Sequence, residues 1–171
     1  MRPRLGRLGD HFRGFFCDSL ELEGANWNVD LPDEFRRRRG YDLLPWLPYV
    51  MFKTGQMGDA AAGDTPVELS PELADQVNRV RYDQWITLIE LFRERFLEPF
   101  VQWCRAQGGQ SRVQAYGHGY HPLDSSLLVD LPECETWLNL HTGGPLSRGA
   151  ATQINKFVSS GARLAGKRLV S

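Results

Sequence analysis

Short apolar segments alternate with longer helical ones along this chain, and this alternation restricts the folds that it can adopt. Phe12–Asp18, Ser111–Tyr116 and Leu127–Asp130 are short apolar or alternating runs of the kind that form strands. A long helical pattern from about Leu73 to Arg105 separates the first two, and Ala150–Ala165 predicts a later helix. Because strands that alternate with helices generally form a parallel sheet, the sequence predicts an α/β fold.

The predicted helices carry their own start, stop and packing signals. Asp30 is placed to cap a short helix that ends at Gly40, and Pro99 predicts a kink in the long one. The stretch 55–71 is rich in Gly, Ala, Asp and Pro, which predicts a flexible insertion. Apolar residues recur every three or four positions along the long helix and predict one buried stripe. They are Trp85, Leu88, Ile89, Phe92, Phe96, Phe100 and Trp103.

Composition argues against several functional classes. The chain has 20 Lys and Arg against 21 Asp and Glu, so it lacks the positive field on which nucleic-acid binding depends. The four-arginine run 36–39 is interpreted as a solvated helix face near a helix C-terminus rather than a phosphate site. No apolar run approaches the length of a membrane span, and the N-terminus is not a signal peptide. The sequence predicts a soluble protein without nucleic-acid or membrane partners, and leaves open a secreted or periplasmic location for a longer parent.

Cysteines and histidines do not form a recognisable metal or disulfide pattern. Cys17, Cys104 and Cys134 are widely and irregularly spaced, which predicts free buried thiols. His118 and His121 lie in one predicted loop, but no third ligand follows at a diagnostic spacing. No metal ligands are therefore assigned from the residues alone.

Acidic residues follow two of the predicted strands. Asp18 and Glu21 follow the first strand, and Asp130, Glu133 and Glu135 follow or end the third. The carboxyl ends of parallel strands in a barrel meet at one face, where active sites are built. Two carboxylates across such a site can hydrolyse a glycoside. The alternative interpretation is that these acids cap or begin the helices that come next.

Aromatic and polar side chains near these acids are of the kind that bind sugars, because rings stack on sugar CH faces and polar groups bond to hydroxyls. The predicted substrate-binding residues are Asp18, Trp27, Tyr116, His118, Asp130 and Trp137.

Several segments, taken in order, resemble glycoside hydrolase family 106, the α-L-rhamnosidase-like enzymes. The resemblance covers nearly the whole chain. Its segments are Phe15–Glu21, Asn26–Trp27, Glu34–Phe35, Arg38–Leu43, Pro45–Pro48, Gln114–Gly117, Asp130–Trp137 and Ala162–Ser171. Leu20 stands where the family has Trp, and Glu133-Cys134 stands where it has Met-Gly.

The resemblance implies a fold and a reaction. The fold would be a partial (β/α)8 TIM-type barrel, incomplete at both ends, with residues 1–171 its central part. The reaction would be hydrolysis of terminal α-L-rhamnosyl linkages by an inverting mechanism, completed only in the full-length enzyme. Glu21 and Glu135 fall on family glutamates, which implies Glu21 as general acid and Glu135 as a second carboxylate that contacts the sugar or holds Ca²⁺.

Two alternatives to rhamnoside hydrolysis remain at this point. The first is a related barrel glycosidase that acts on another sugar, such as a β-galactoside. The second is a carbohydrate-binding protein without catalytic activity. In each case the expected partner is a carbohydrate.

Overall fold

The computed structural model describes residues 6–20, 27–50, 69–117, 120–134 and 145–168, with side chains from Asn155 onward in the last range. The chain divides into two compact units. The sheet unit comprises Met1–Leu20 and Phe92–Ser171, and the helical unit comprises Glu21–Leu91. The predicted insertion at 55–71 lies outside the described residues apart from its last three positions, and Pro71 already begins a helix.

The elements alternate between strand and helix as the sequence predicts. The strands are β1 (Gly14–Cys17), β2 (Gln110–Gln114) and β3 (Leu131–Glu133). The α-helices are α1 (Leu31–Arg39), α2 (Leu47–Val50), α3 (Pro71–Phe92), α4 (Glu98–Ala106), α5 (Pro122–Leu128) and α6 (Pro145–Leu164). Short 3₁₀ segments cover Leu8–Asp10 and Leu44–Trp46.

The three strands form one parallel sheet in the order β1-β2-β3. Phe16 is opposite Arg112, and Gln114 is opposite Glu133. Parallel neighbours need long connections, which the helices supply. The prediction of an α/β fold with a parallel sheet is therefore confirmed.

The strand predicted at Leu127–Asp130 is wrong, because this segment ends a helix and the strand begins at Leu131. Pro122 occupies the first turn of α5, where a missing N–H costs little. The side chain of His121 accepts a hydrogen bond from the backbone N–H of Asp124 (3.4 Å) and so caps the helix. Local capping therefore outweighs the strand preference of a short apolar run.

The core of the sheet unit lies on one face of β2. Val113 and Ala115 are fully buried there, against Leu97 and Val101 from the helical segment that precedes the strand. Because side chains alternate across a strand, Arg112 and Gln114 lie on the opposite face. The sheet thus has one apolar face packed on helices and one polar face.

A single proline shapes the middle of the predicted long helix. Arg93–Leu97 form a π-helical segment directly before α4, and the N–H of Glu98 bonds to the carbonyl of Arg93. Pro99 cannot donate a hydrogen bond, and its ring crowds the carbonyl four residues earlier. The predicted interruption of the helix is confirmed, and it takes the form of a π segment.

The buried stripe of this helix differs from the prediction. Trp85, Phe96 and Trp103 are 48%, 36% and 46% exposed, while the aliphatic residues Leu91, Leu97 and Val101 are buried. The exposed rings contact other rings, such as Phe100 with Trp103 at 6.4 Å between centroids. Large aromatic side chains cover the rim of the core, because the space between close elements suits smaller side chains.

The helical unit has its own apolar core, built from α1, α3 and the segment between them. Its buried residues are Leu31, Phe35, Leu43, Val50, Val80 and Leu91. Gly40 ends α1 with φ of 83°, as the sequence predicts. None of the helices in the described ranges combines the length and the apolar character that a bilayer crossing requires.

The arginine run is only half solvated. Arg36 and Arg37 are exposed, but the side chains of Arg38 and Arg39 are mostly covered and bond to Glu90. Burial alone would raise the pKa of Glu90, but the hydrogen bonds from the two arginines outweigh it and lower the pKa. The run therefore holds helix to helix, which corrects the interpretation of a fully solvated face.

Candidate active site

The carboxyl ends of β1 and β2 bring two predicted site residues to the same edge of the sheet. Asp18 directly follows β1 and is exposed, and Tyr116 follows β2 and is 9% exposed. A parallel bridge between Leu20 and Gly117 continues the pairing of these two segments beyond the strands. One oxygen of Asp18 accepts a hydrogen bond from the N–H of Ser19 (2.9 Å), which holds the carboxylate at the strand end.

Gly117 is required where these segments meet. Its φ is +96°, in a region that residues with a side chain rarely adopt, and an added Cβ would lie 2.6 Å from the carbonyl oxygen of Leu20. The glycine thus permits the close approach of the two backbones at this edge.

Four of the predicted site residues lie outside the described residues. They are Glu21, His118, Glu135 and Trp137. The residues that precede the two glutamates are described: Leu20 forms the bridge to Gly117, and Cys134 is buried directly after β3. Because β1 and β3 flank β2 in a parallel sheet, Leu20 and Cys134 both stand at its carboxyl end.

Asp130 lies at the opposite end of the sheet, because it precedes β3 instead of following a strand. Its carboxylate accepts hydrogen bonds from Arg105 (2.6 Å) and from the N–H and hydroxyl of Ser111 (2.9 Å each). Burial alone would raise the pKa of Asp130, but these hydrogen bonds and the charge of Arg105 lower it. Asp130 is thus occupied in joining α4, β2 and β3, and the structure does not bring it together with Asp18.

Trp27 belongs to the helical unit, shortly before α1, and is 44% exposed. Its ring surface is available for stacking. Tyr120, which lies three residues after Gly117, is part of the sheet-unit core.

A chain of hydrogen bonds that the sequence analysis missed runs along the polar face of the sheet. Arg112 donates to the carboxylate of Glu133, and Gln114 donates its amide to the same carboxylate (3.2 Å). The hydroxyl of Tyr116 then donates to the amide oxygen of Gln114 (2.8 Å). We refer to Arg112, Glu133, Gln114 and Tyr116 as the polar chain.

The alternation of the second strand contains the signal for this chain. Positions 112, 114 and 116 share one face of an extended segment, and all three are polar or carry a polar tip. The same signal is missing for the partner Glu133. The sequence predicts the third strand at Leu127–Asp130, so that Glu133 falls after the predicted strand and not within it.

All three thiols are free; Cys104 and Cys134 are buried as predicted, whereas Cys17 is half-buried. Burial raises the pKa of Cys17, and burial together with the negative charge of Asp130 raises the pKa of Cys104 to about 11. Burial also raises the pKa of Cys134. Neutral pH therefore leaves these thiols protonated, and they are poor nucleophiles in this state.

An open cavity of about 930 Å³ lies away from the carboxyl end of the sheet. It is lined by the start of β1 and β3 and by the segment after α6, including Arg13, Arg112, Asp130 and Lys167. Since its wall contains neither Asp18 nor Tyr116, we do not assign it as the sugar site. Within the described ranges, no three His, Cys, Asp or Glu side chains are grouped as a metal site.

The fold and the strand ends together define an α/β protein with polar side chains at the carboxyl edge of a parallel sheet. Comparison with known proteins gives the family. The model of glycoside hydrolase family 106, described as alpha-L-rhamnosidase, matches residues 2–171, and the chain belongs to that family.

A curated relative is found in Formosa agariphila. It is named "Putative beta-glucuronidase" and is 26% identical to this chain over 174 residues. The alignment covers 99% of this chain but 13% of the relative, so the chain spans about one eighth of that protein's length.

Proposed function

We propose that this chain is part of a glycoside hydrolase that releases terminal α-L-rhamnosyl groups by an inverting mechanism. The family match over residues 2–171 carries the proposal. The sheet supports it, because the two candidate carboxylates, Glu21 and Glu135, directly follow the described residues Leu20 and Cys134. The barrel expected for the complete enzyme would extend this parallel sheet on both sides.

Strand spacing sets the distance between the two strand ends near which the candidate carboxylates follow in the sequence. Neighbouring strands lie about 4.8 Å apart, so β1 and β3, on either side of β2, are separated by roughly 10 Å. Inverting glycosidases keep their two carboxyl groups roughly 6.5–9.5 Å apart, with room for water between them. The distance between these two strand ends is thus on the same scale as that separation.

Each carboxylate has a role in the proposal. Glu21 protonates the oxygen of the leaving group as the glycosidic bond breaks, and Glu135 binds the hydroxyls of the sugar. A water attacks the anomeric carbon from the opposite face and gives its proton to a general base, a carboxylate that the complete enzyme supplies from outside this chain. Asp18 accepts a hydrogen bond from a further hydroxyl, since one of its oxygens is engaged by Ser19 and the other has no partner among the described residues. Trp27, Tyr116, His118 and Trp137 supply ring surfaces and polar groups to the sugar.

Calcium was expected from the family resemblance. Carboxylate oxygens suit this ion, and Glu135 and Asp18 are the donors of that type in the proposal. The described residues do not group three such ligands, so no catalytic step is derived through the ion.

The test is hydrolysis of a panel of aryl glycosides by the protein with all segments that its gene encodes. We expect the α-L-rhamnoside to be cleaved best, and Glu21→Gln and Glu135→Gln each to lower kcat by roughly 10²–10⁴-fold. Glu98→Gln, which removes a surface partner of Arg93, is the control and should retain activity. Full activity in both active-site variants would refute these roles, and sugar binding without turnover in the unmodified protein would favour the carbohydrate-binding alternative.

A second candidate substrate is a β-glucuronoside, favoured by the name of the relative. The same panel distinguishes the two, because the glucuronide carries a carboxylate that the rhamnoside lacks. Faster release from the glucuronide would replace the rhamnoside assignment while keeping the hydrolase.

A further inference from the structure

The polar chain connects the interior of the sheet with the edge where the sugar is proposed to bind. We propose that Glu133 is a positioning residue: through Gln114 it fixes the orientation of the Tyr116 hydroxyl, and Tyr116 in turn contacts the substrate. The substrate contact rests on the proposed function, whereas the orientation of the chain is a property of the fold.

The direction of every hydrogen bond in the chain follows from chemistry. A carboxylate only accepts and a guanidinium only donates. Gln114 has one accepting oxygen and one donating NH₂ group, and the NH₂ group faces Glu133. Its oxygen therefore faces Tyr116, whose hydroxyl must donate to it.

Burial restricts each hydrogen bond of the polar chain to one direction. Glu133 and Gln114 are each 6% exposed, so an unmatched donor or acceptor at either residue would be costly. A glutamine in place of Glu133 could present either an oxygen or an NH₂ group to Gln114. The amide of Gln114 could then turn over, and the hydroxyl of Tyr116 would lose its single preferred direction.

Arg112 anchors the other end of the chain. Its guanidinium lies 5.0 Å from the centroid of the Phe16 ring on the neighbouring strand, and it donates to Glu133. This links all three strands on one face, so the chain is tied to rigid elements rather than to a loop.

The position of Tyr116 gives the chain its relevance to the substrate. It directly precedes Gly117, whose backbone bridges to Leu20, next to Glu21. Glu133 itself lies within β3 with both carboxylate oxygens engaged, so it acts through Tyr116 and does not touch the reacting atoms.

The experiment compares Glu133→Gln with the unmodified protein, including all segments that its gene encodes. With the aryl rhamnoside we expect KM to rise about tenfold, the value of one ordinary hydrogen bond, and kcat to stay within about twofold. By NMR, the side-chain amide protons of Gln114 should exchange with solvent about tenfold faster. Val113→Ala, on the opposite face of the same strand, is the control for general loosening and should change neither quantity.

A double-mutant cycle tests whether Glu133 acts through Tyr116. Tyr116→Phe alone should raise KM by a similar factor, and the double variant should be no worse than Tyr116→Phe. Additive effects would overturn the proposal, as would unchanged exchange of the Gln114 amide in Glu133→Gln. Loss of kcat together with loss of the acidic limb of the pH profile would also overturn it, because Glu133 would then be catalytic.

Two further arms keep the result interpretable. If Glu133→Gln does not fold, Gln114→Leu interrupts the polar chain but leaves the pair of Arg112 and Glu133 intact. We expect the same rise in KM from this variant. An unchanged KM would refute the role of the polar chain in positioning Tyr116. If the unmodified protein cleaves no glycoside, the proposed function fails, and the exchange of the Gln114 amide still decides whether the chain is ordered by Glu133.

Discussion

The two units use charged side chains in different ways. In the helical unit, Arg38 and Arg39 reach across to Glu90, and Arg39 also donates to the hydroxyl of Thr87 (2.9 Å). In the sheet unit, the polar contacts of Asp130 and Glu133 lie at the two ends of β3. Pairs of arginine and acidic side chains therefore hold helices together in one unit and order the ends of a strand in the other.

The largest effect is expected from the apolar core of the helical unit. Phe35 is fully buried and contacts Tyr41 edge-on at 4.9 Å between ring centroids. Phe35→Ala should lower the free energy of unfolding by about 3–5 kcal/mol, because it removes a large side chain and leaves a cavity. Hydrogen exchange measured residue by residue is the assay, and amides of α1 and α3 should lose protection.

The exposed neighbour Arg36 serves as the control for this variant, and Arg36→Ala should shift stability by no more than about 0.5 kcal/mol. Equal losses in the two variants would show that the core assigned to the helical unit is not its main source of stability.

The next effect concerns the backbone at the carboxyl edge of the sheet. Gly117→Ala should lower the free energy of unfolding by about 2–4 kcal/mol, because the new Cβ meets the Leu20 carbonyl and φ is positive. Chemical denaturation followed by circular dichroism measures the loss.

Gly40 offers a matched comparison for Gly117, since its φ is +83° but no atom lies within 4 Å of an added Cβ. Gly40→Ala should therefore cost less than Gly117→Ala. The reverse order would mean that the close contact with Leu20 is not a constraint.

The smallest effect is expected from the acidic residues that pair with arginine, one in each unit. Asp130 has a lowered pKa in the folded protein, so it stabilises the fold above its unfolded pKa, and this contribution is lost as pH falls through the folded value. Asp130→Asn should cost about 1–3 kcal/mol at pH 7 and flatten the acid limb of the stability curve.

Glu90→Gln is the counterpart in the helical unit. The sign is the same, because the pKa of Glu90 is also lowered, but Glu90 is more exposed and the loss should be smaller. Stability curves from pH 2 to pH 7 for both variants test this order, and a larger loss in Glu90→Gln would reverse the comparison.

Strong local signals in the sequence predicted much of the fold. The apolar run ending at Cys17 and the alternation after Gln110 gave two strands, and Gly40 marked a helix end because a left-handed residue was needed there. The long helix and its interruption near Pro99 followed from spacing and from the missing N–H of proline. These features depend on few neighbours, so they can be predicted from a short stretch of sequence.

The candidate site was predictable only in part. Asp18 and Tyr116 lie at the same edge of the sheet, since each follows a strand that the sequence predicts. Asp130 lies at the other end because the third strand begins at Leu131, four residues after the predicted start at Leu127, so that Asp130 precedes the strand instead of ending it. A shift of that size carries a side chain from one end of a short strand to the other.

The alternation of strands and helices, the free thiols and the family to which the chain belongs follow from the residues alone. The contacts of Asp130 with Ser111, and of Glu133 with Arg112 and Gln114, become evident only in the folded chain. The physical reason is that a short apolar segment has little local preference between helix and strand. Its conformation, and hence the position of every acid beside it, is set by the capping and strand pairing available in the folded chain.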